Sequence, residues 1–515
     1  MRYIAILLFS GSTLFGGWTG PVDIFTTTGA IDPVVGVDRN GNAVIIATAT
    51  DDNTTYYIKY AQLISGTVTN LGNFSMLDNA QGANSIYVNS AGNAAAVWIE
   101  AGIGNNFTRG SVLLNGSWTT PVVLSDPINF NVNSSAPGIN LNSLNNALAV
   151  WLGYDGVSYD IQYNKFISGW EGVATVFSDS SHYLTDFVFA GSPTGQGLAF
   201  WSNQDTPNVQ AAYYNGNNWS LSGSLSSSVL IACGVPTAVA MNASNEGIFL
   251  WENSLGGISS SFFSNGVYSS EQTVYTVTGS NIVYIAVCLS GSGVATALWV
   301  VQDNISGNFT LLSNSSQSGG AWGSATPLVM PTSTFIGYPN IAVDNFGNVY
   351  AVWENDDGSG NGFVYYDQYG SSANSWLAGG PVLLSSLGHS STAPNLAISG
   401  FGAATVVWVE DNITVQAVYM GGAPSPVSGF VGRQLKNRFL TATDRVNVLN
   451  WQASVDLAVV SYNLTRNGIL IATIPATASP SYQDHNQSKG QKNTYGLIAI
   501  DVNGEQSTPM FVTVP

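Results

Sequence analysis

Val349-Tyr350-Ala351-Val352-Trp353 is a short apolar run closed by tryptophan, and its ending recurs along the chain, as in Ala95-Ala96-Val97-Trp98 and Leu148-Ala149-Val150-Trp151. Seven such rings, Trp98, Trp151, Trp201, Trp251, Trp299, Trp353 and Trp408, stand 53, 50, 50, 48, 54 and 55 positions apart. Self-similarity at a fixed period of this size marks an array of supersecondary units that bury their faces only against each other. One large ring per unit, at one depth, is what packing between neighbouring units requires, so the seven read as structural first.

Working outward from Trp353 gives one unit. Residues 340–343 read as a strand, followed by the turn Asp344-Asn345-Phe346-Gly347-Asn348. The run ending in Trp353 is the second strand, then comes the acidic loop Glu354-Asn355-Asp356-Asp357-Gly358. A third strand covers 362–366, and Trp376 leads into a fourth. Four β-rich runs punctuated by Gly, Asn and Asp form the antiparallel meander of a β-propeller blade. In the Asp-x-x-Gly-Asn turn, seen also as Asp38-Arg39-Asn40-Gly41-Asn42, glycine supplies positive φ and Asp bonds backbone N–H groups.

A second ladder, Trp118, Trp170, Trp219, Tyr268, Trp322 and Trp376, marks the start of the fourth strands. These rings also read as structural first; lying further out and next to loops, they are the better placed of the two ladders to serve alternatively as stacking platforms for sugars. Trp18-Thr19-Gly20-Pro21 repeats the Trp-x-x-Pro of Trp118-Thr119-Thr120-Pro121 with no three strands before it, while the last repeat (394–420) has no clear fourth strand. The N-terminal strand is therefore expected beside the last three, closing the ring and removing two sheet edges. The expected fold is all-β: an eight-bladed β-propeller over 18–430, with seven blades as the alternative. The first repeat is degenerate, with Ala47 where the others carry Trp.

The repeat stops at Gly421-Gly422-Ala423-Pro424-Ser425-Pro426. Beyond it come Val446-Asn447-Val448-Leu449-Asn450-Trp451, the Tyr462-x-x-x-Arg466-Asn467-Gly468 hairpin and Thr494-Tyr495-Gly496-Leu497. Residues 431–515 resemble a fibronectin type III domain, with Trp451 on an early strand and Tyr495 where that family has its corner tyrosine. The resemblance implies a two-sheet β-sandwich serving as spacer or partner-binding accessory. The whole chain resembles bacterial secreted or surface-displayed propeller repeat proteins.

Charge is scarce and uneven. Charged residues are 8% of the chain, with a net charge of −18. Four basic residues (Arg39, Lys59, Arg109, Lys165) face 25 acidic ones over 18–430, giving −21, whereas 431–515 carries +2. Such a body repels phosphate backbones, so nucleic acid is not an expected partner. Cations and basic partners are favoured, and self-repulsion favours a monomer. The two cysteines, Cys233 and Cys288, rule out a disulfide scaffold. Arg2 followed by Ile4-Ala5-Ile6-Leu7-Leu8-Phe9 reads as an export signal over 1–17, too short to span a bilayer, and no later run is long enough for a membrane anchor. Secretion or surface display, in a bacterium, is the expected location.

The chemistry is thinner. Sialidases resemble this architecture but need three arginines and Ser-x-Asp-x-Gly-x-Thr-Trp boxes. The propeller has two arginines and no such box. His182, His389 and His485 lie too far apart in sequence for a histidine metal site. Carboxylates remain, on the loops after the second strands: Glu100, Asp155, Asp205, Glu252, Asp303, Glu354, Asp356, Asp357, Glu410 and Asp411. A ring of them on one face would attract hard cations, with Asp356 and Asp357 the richest calcium candidate. Two at about 5–9 Å could act as acid and base on a glycosidic bond. The expected function is non-catalytic binding of a glycan or protein partner through this face. A carbohydrate-active enzyme and a structural surface protein are the alternatives.

Overall fold

The computed structural model describes residues 18–514 apart from 75–79, 81, 83, 103, 127–129, 133–136, 204–207, 227–236, 278, 318–319, 372–374, 377–379, 422–423, 425, 439–442, 455–458 and 502–505. The expected export signal, Cys233 and Asp205 lie outside the described residues. The chain divides into two compact units, Met1–Met420 and Gly421–Pro515. Every regular element among the described residues is a strand. No described helix is long and apolar enough to cross a membrane.

The described residues of the first unit form eight antiparallel sheets of four or five strands, numbered in chain order from Gly29. Sheet 7 is the unit read above: Ile336–Val343, Val349–Asp356 and Gly362–Gly370, with Ser375–Trp376 and Val382–Leu383 both paired to the third strand. Its second strand is covered on both faces, so residues 349–354 are all buried, and 349–353 read as one apolar run rather than an alternation. The first strands of the eight sheets are Gly29–Val37, Ser85–Val88, Gly138–Leu141, Leu184–Gly191, Thr237–Met241, Ser280–Leu289, Ile336–Val343 and Ser391–Ile398. Each packs on the next, and the last returns to the first. The eight sheets therefore close on themselves.

The tryptophan ladder is the glue of this closure. Trp98, Trp151, Trp201, Trp251, Trp299, Trp353 and Trp408 are at most 1% exposed. Each enters the apolar cluster of the sheet before it. Trp98 stacks on Phe74 at 5.0 Å, Trp201 lies 5.3 Å from Phe177, and Trp299 lies 5.1 Å from Tyr275. At the remaining seam Ala47 replaces the indole, and Phe25 fills the space beside Ala61, Val407 and Val409.

Phe25 belongs to the closing strand. Val22–Thr26 pairs antiparallel with Thr414–Met420, and Trp18 bridges Met420 while its indole sits edge-on to Tyr366 at 5.0 Å. The edge that the third strand of sheet 8 would otherwise present is thereby paired. The second aromatic ladder uses the same contact. Trp118 lies 5.8 Å from Tyr60, Trp219 lies 5.8 Å from Tyr163, and Trp322 Nε1 donates to Ser260 Oγ at 2.9 Å. Each ring wedges onto the third strand of the preceding sheet. The inter-sheet packing expected of these rings is what the contacts show.

The described residues of the second unit form two sheets. One orders Ser428–Arg438, Thr443–Gln452 and Ser481–Asp484, and the other orders Ile469–Pro475, Val459–Arg466, Asn493–Asp501 and Met510–Val514. Its core holds Trp451, Tyr462, Leu464, Tyr495 and Leu497. The buried Tyr495 hydroxyl donates to Asp484 Oδ2 at 2.7 Å and accepts from Asn447 Nδ2 at 2.8 Å. The second unit runs from Gly421, and its first strand begins at Ser428.

Candidate functional site

In an antiparallel meander the turns between first and second strands share one face, and the loops between second and third strands share the other. The sequence directed attention to the second face. Most of its carboxylates are committed to their own surroundings. Glu100 is fully buried and pairs with Arg109 Nε at 3.1 Å. Asp155 Oδ1 accepts from the N–H groups of Val157 and Ser158 at 2.7 and 2.6 Å, which hold its pKa below the ordinary carboxylate range. Asp303 is lowered likewise by Ser306 and Ile305.

The expected calcium pair is also a turn device. Asp356 Oδ1 accepts from Gly358 N–H. Asp357 Oδ1 accepts from Ser359 and Asn361 N–H, and its Oδ2 accepts from Asn361 Nδ2 at 3.0 Å. Both carboxylates are turned onto their own loop, and no group of three His, Cys, Asp or Glu suited to a metal occurs among the described residues. Asp411 binds His389 Nδ1 at 2.7 Å and Ser390 N–H at 2.9 Å, which lowers its pKa and raises that of His389.

Three carboxylates behave differently. Glu252, Glu354 and Glu410 follow their tryptophans by one or two positions, and burial raises the pKa of each. Glu252 is pushed up to about 7. Glu354 is held by Ala393 N–H, which donates to Oε2 at 3.1 Å from the first strand of sheet 8.

The opposite face is more regular. All eight sheets carry the same five-residue turn, beginning at Asp38, Asn89, Asn142, Ser192, Asn242, Ser290, Asp344 and Ser399, with a backbone bond from the first residue's N–H to the fifth residue's carbonyl. The first side chain receives N–H groups from within the turn: Asp38 Oδ1 accepts from Asn40 and Asn42, and Asn142 Oδ1 from Leu144 and Asn146. The fourth residue has positive φ throughout. It is glycine in six turns and Asn145 or Asn245 in the others, the residue types that tolerate this region. Amides then tie turn to turn: Asn89 Nδ2 donates to Asn142 O at 3.0 Å, Asn242 Nδ2 to Ser290 O at 2.9 Å, and Asn345 N–H to Gly400 O at 3.0 Å.

Where these turns converge there is an open cavity of about 450 Å³ lined from seven of the eight sheets. Its wall includes Arg39, Tyr87, Asn89, Ser143, Asn345 and Phe401. The Arg39 guanidinium carbon lies 4.8 Å from the centroid of Phe401, and Phe346 meets Phe401 edge-on at 6.4 Å. The other three Lys and Arg residues described in this unit are placed elsewhere: Arg109 on Glu100, Lys165 on Glu171, and Lys59 over Phe25. Asp38 also lines the cavity, but Oδ1 holds its own turn and Oδ2 accepts from Asn42 Nδ2 at 2.9 Å. The sequence reading found two of the eight turns. The signal for the rest was present, as Asp/Asn/Ser three positions before Gly/Asn at the end of each first strand.

Fold and site define an all-β repeat protein of small antiparallel sheets with a cup where its turns meet. No protein-family model matches the chain, and no curated protein matches it. Among solved structures it is similar to a PL25 ulvan lyase at 10% identity and a TM-score of 0.46, covering 78% of this chain and 96% of that one. It is also similar to a Hadza microbial sialidase (9% identity, TM-score 0.34, 55% of this chain and 66% of that one). A third is the Aleuria aurantia lectin (11% identity, TM-score 0.34, 59% and 97%). Likenesses at this level carry no chemistry over to this chain.

Proposed function

We propose that the first unit is an eight-bladed β-propeller, the second a fibronectin type III-like sandwich, and that the protein binds a glycan without catalysis in the cavity at the centre of its turn face. The closed cycle of eight sheets supports the blade count, and the three- plus four-stranded arrangement around Trp451 and Tyr495 supports the sandwich. The observation carrying the function is the cavity itself. Its volume of about 450 Å³ suits a few sugar rings, and its wall mixes amides, hydroxyls and aromatic faces. Saccharides present that mixture in complement: hydroxyls that donate and accept at once, and a C–H face that packs on aromatic rings. Turn-to-turn bonds hold the wall rigid, which lowers the ordering cost of binding. A body at −21 selects against phosphate-rich and polyanionic ligands, leaving neutral glycans favoured. Action outside the cell accords with the reading of residues 1–17 as an export signal.

One observation favours the enzyme alternative: Glu252 at a pKa of about 7 is suited to proton transfer near neutrality. Both readings are tested by probing a broad array of neutral glycans with residues 18–515 and assaying the same glycans for turnover. Binding without turnover, abolished by Phe401→Ala, is expected. Turnover that vanishes in Glu252→Gln would establish the enzyme instead, and a blank array from folded protein would end the glycan reading.

A further inference from the structure

A second concavity lies on the outer flank of the first unit, between sheets 6 and 7. It has a volume of about 610 Å³ and is built from the third and fourth strands of both sheets, Phe309–Ser315 with Thr326–Thr332 and Gly362–Gly370 with Ser375–Trp376. Trp376 shapes it. The indole crosses from sheet 7 to sheet 6, where Nε1 donates to the buried Ser313 Oγ at 3.1 Å, so its ring is fixed as a wall. Tyr369 packs edge-on to it at 5.7 Å, and Pro381 lines the groove beside them. Polar groups make the rest of the lining. Asp367 is 2% exposed, and Asn314 is 4% exposed; the Asn314 amide donates to Val274 O at 3.1 Å and Gly323 O at 3.0 Å while its Oδ1 has no protein partner. The exposed hydroxyls of Ser324 and Thr326 sit at the rim.

We infer that this groove is a second saccharide site, distinct from the central cavity and taking a neutral saccharide through one of its pyranose rings. Ring C–H groups would lie on the Trp376–Tyr369 wall, and sugar hydroxyls would bond the exposed hydroxyls of Ser324 and Thr326 and the Asp367 carboxylate, whose Oδ1 also accepts from Gln368 N–H at 2.7 Å. The division of the lining decides the class. A polyproline peptide needs a mostly aromatic trough, whereas here a carboxylate and two exposed hydroxyls stand beside fixed rings. Phosphate and carboxylate ligands are opposed by Asp367 and by the absence of any Lys or Arg in the lining. Trp376 belongs to the ladder of inter-sheet wedges, and at this seam the wedge also borders an open groove. Two sites on one chain would let individually weak sugar contacts combine by avidity on a polymeric glycan.

The test is saturation-transfer NMR of the full chain with methyl pyranosides of glucose, galactose, mannose, fucose and N-acetylglucosamine. Three proteins are compared: wild type, Ser324→Trp, which fills the groove from an exposed position, and Phe401→Ala, which alters only the central cavity. Saturation of at least one glycoside is expected in wild type and in Phe401→Ala. In Ser324→Trp its affinity should fall by about tenfold or more, with an unchanged melting midpoint. Thr326→Arg, at another exposed rim position, replaces Ser324→Trp if that variant melts early. Saturation unaffected by the groove variants, no saturation by any of the five glycosides, or capture of a proline-rich peptide in their place would each overturn the proposal. Loss in Phe401→Ala alone would assign the sugar to the central cavity and overturn the flank site.

Discussion

Glu252 shows how a side chain at the end of a repeat strand takes its chemistry from burial. Its carboxyl is raised from 4.5 to about 7 by desolvation. The folded protein therefore keeps a proton that the unfolded chain releases, and stability falls as pH rises from about 4.5 to about 7. Glu354 and Glu410 act in the same direction. Melting midpoints measured across this window should decline for wild type and decline less for Glu252→Gln, which has no charge to bury. Equal slopes would show that Glu252 is solvated. The acidic loops were visible in the sequence as positions, but their environments were not. Asp357 and Asp155 look alike to Glu252 in composition and differ because turn N–H groups reach the first two. Which oxygen meets which N–H is fixed by loop geometry, and that geometry lies beyond local pattern.

Among the elements, the turn and the tryptophan strand divide the labour. The strand supplies cohesion: Trp353 brings the whole of its ring into the cluster of sheet 6 with Leu298 and Leu311. Trp353→Ala should cost about 3–5 kcal/mol, read as a shift in the denaturant midpoint. The turn supplies the functional face. Asn89→Ala should cost about 1 kcal/mol, since it removes a cap inside one turn and a tie to the next. It should also weaken ligand binding, because Asn89 lines the cavity. The seven-tryptophan spacing was fully legible, since a large buried ring leaves one periodic mark per repeat. The turn ladder was half hidden. Asp, Asn and Ser perform the same capping, and Gly and Asn the same positive φ, so chemical equivalence replaced identity. The partner of each wedge, as for Trp118, Trp219 and Trp376, was not legible, because it lies on the third strand of the preceding sheet.

At the scale of the molecule, closure decides whether the face exists at all. The strand Val22–Thr26 joins the two ends of the array, and Trp18 locks it over Tyr366. A chain lacking residues 18–27 would expose the third strand of sheet 8 and the cluster around Ala47 and Val407. It should melt earlier, lose a single cooperative transition and associate through the open edge, as scattering and calorimetry would show. The ligand is assigned to the turn face of the closed unit rather than to the face of the acidic loops. The most direct measurement is glycan binding by wild type, Phe401→Ala and Glu252→Gln under one condition. The account predicts binding lost in Phe401→Ala and kept in Glu252→Gln, and binding kept in the first and lost in the second would contradict it.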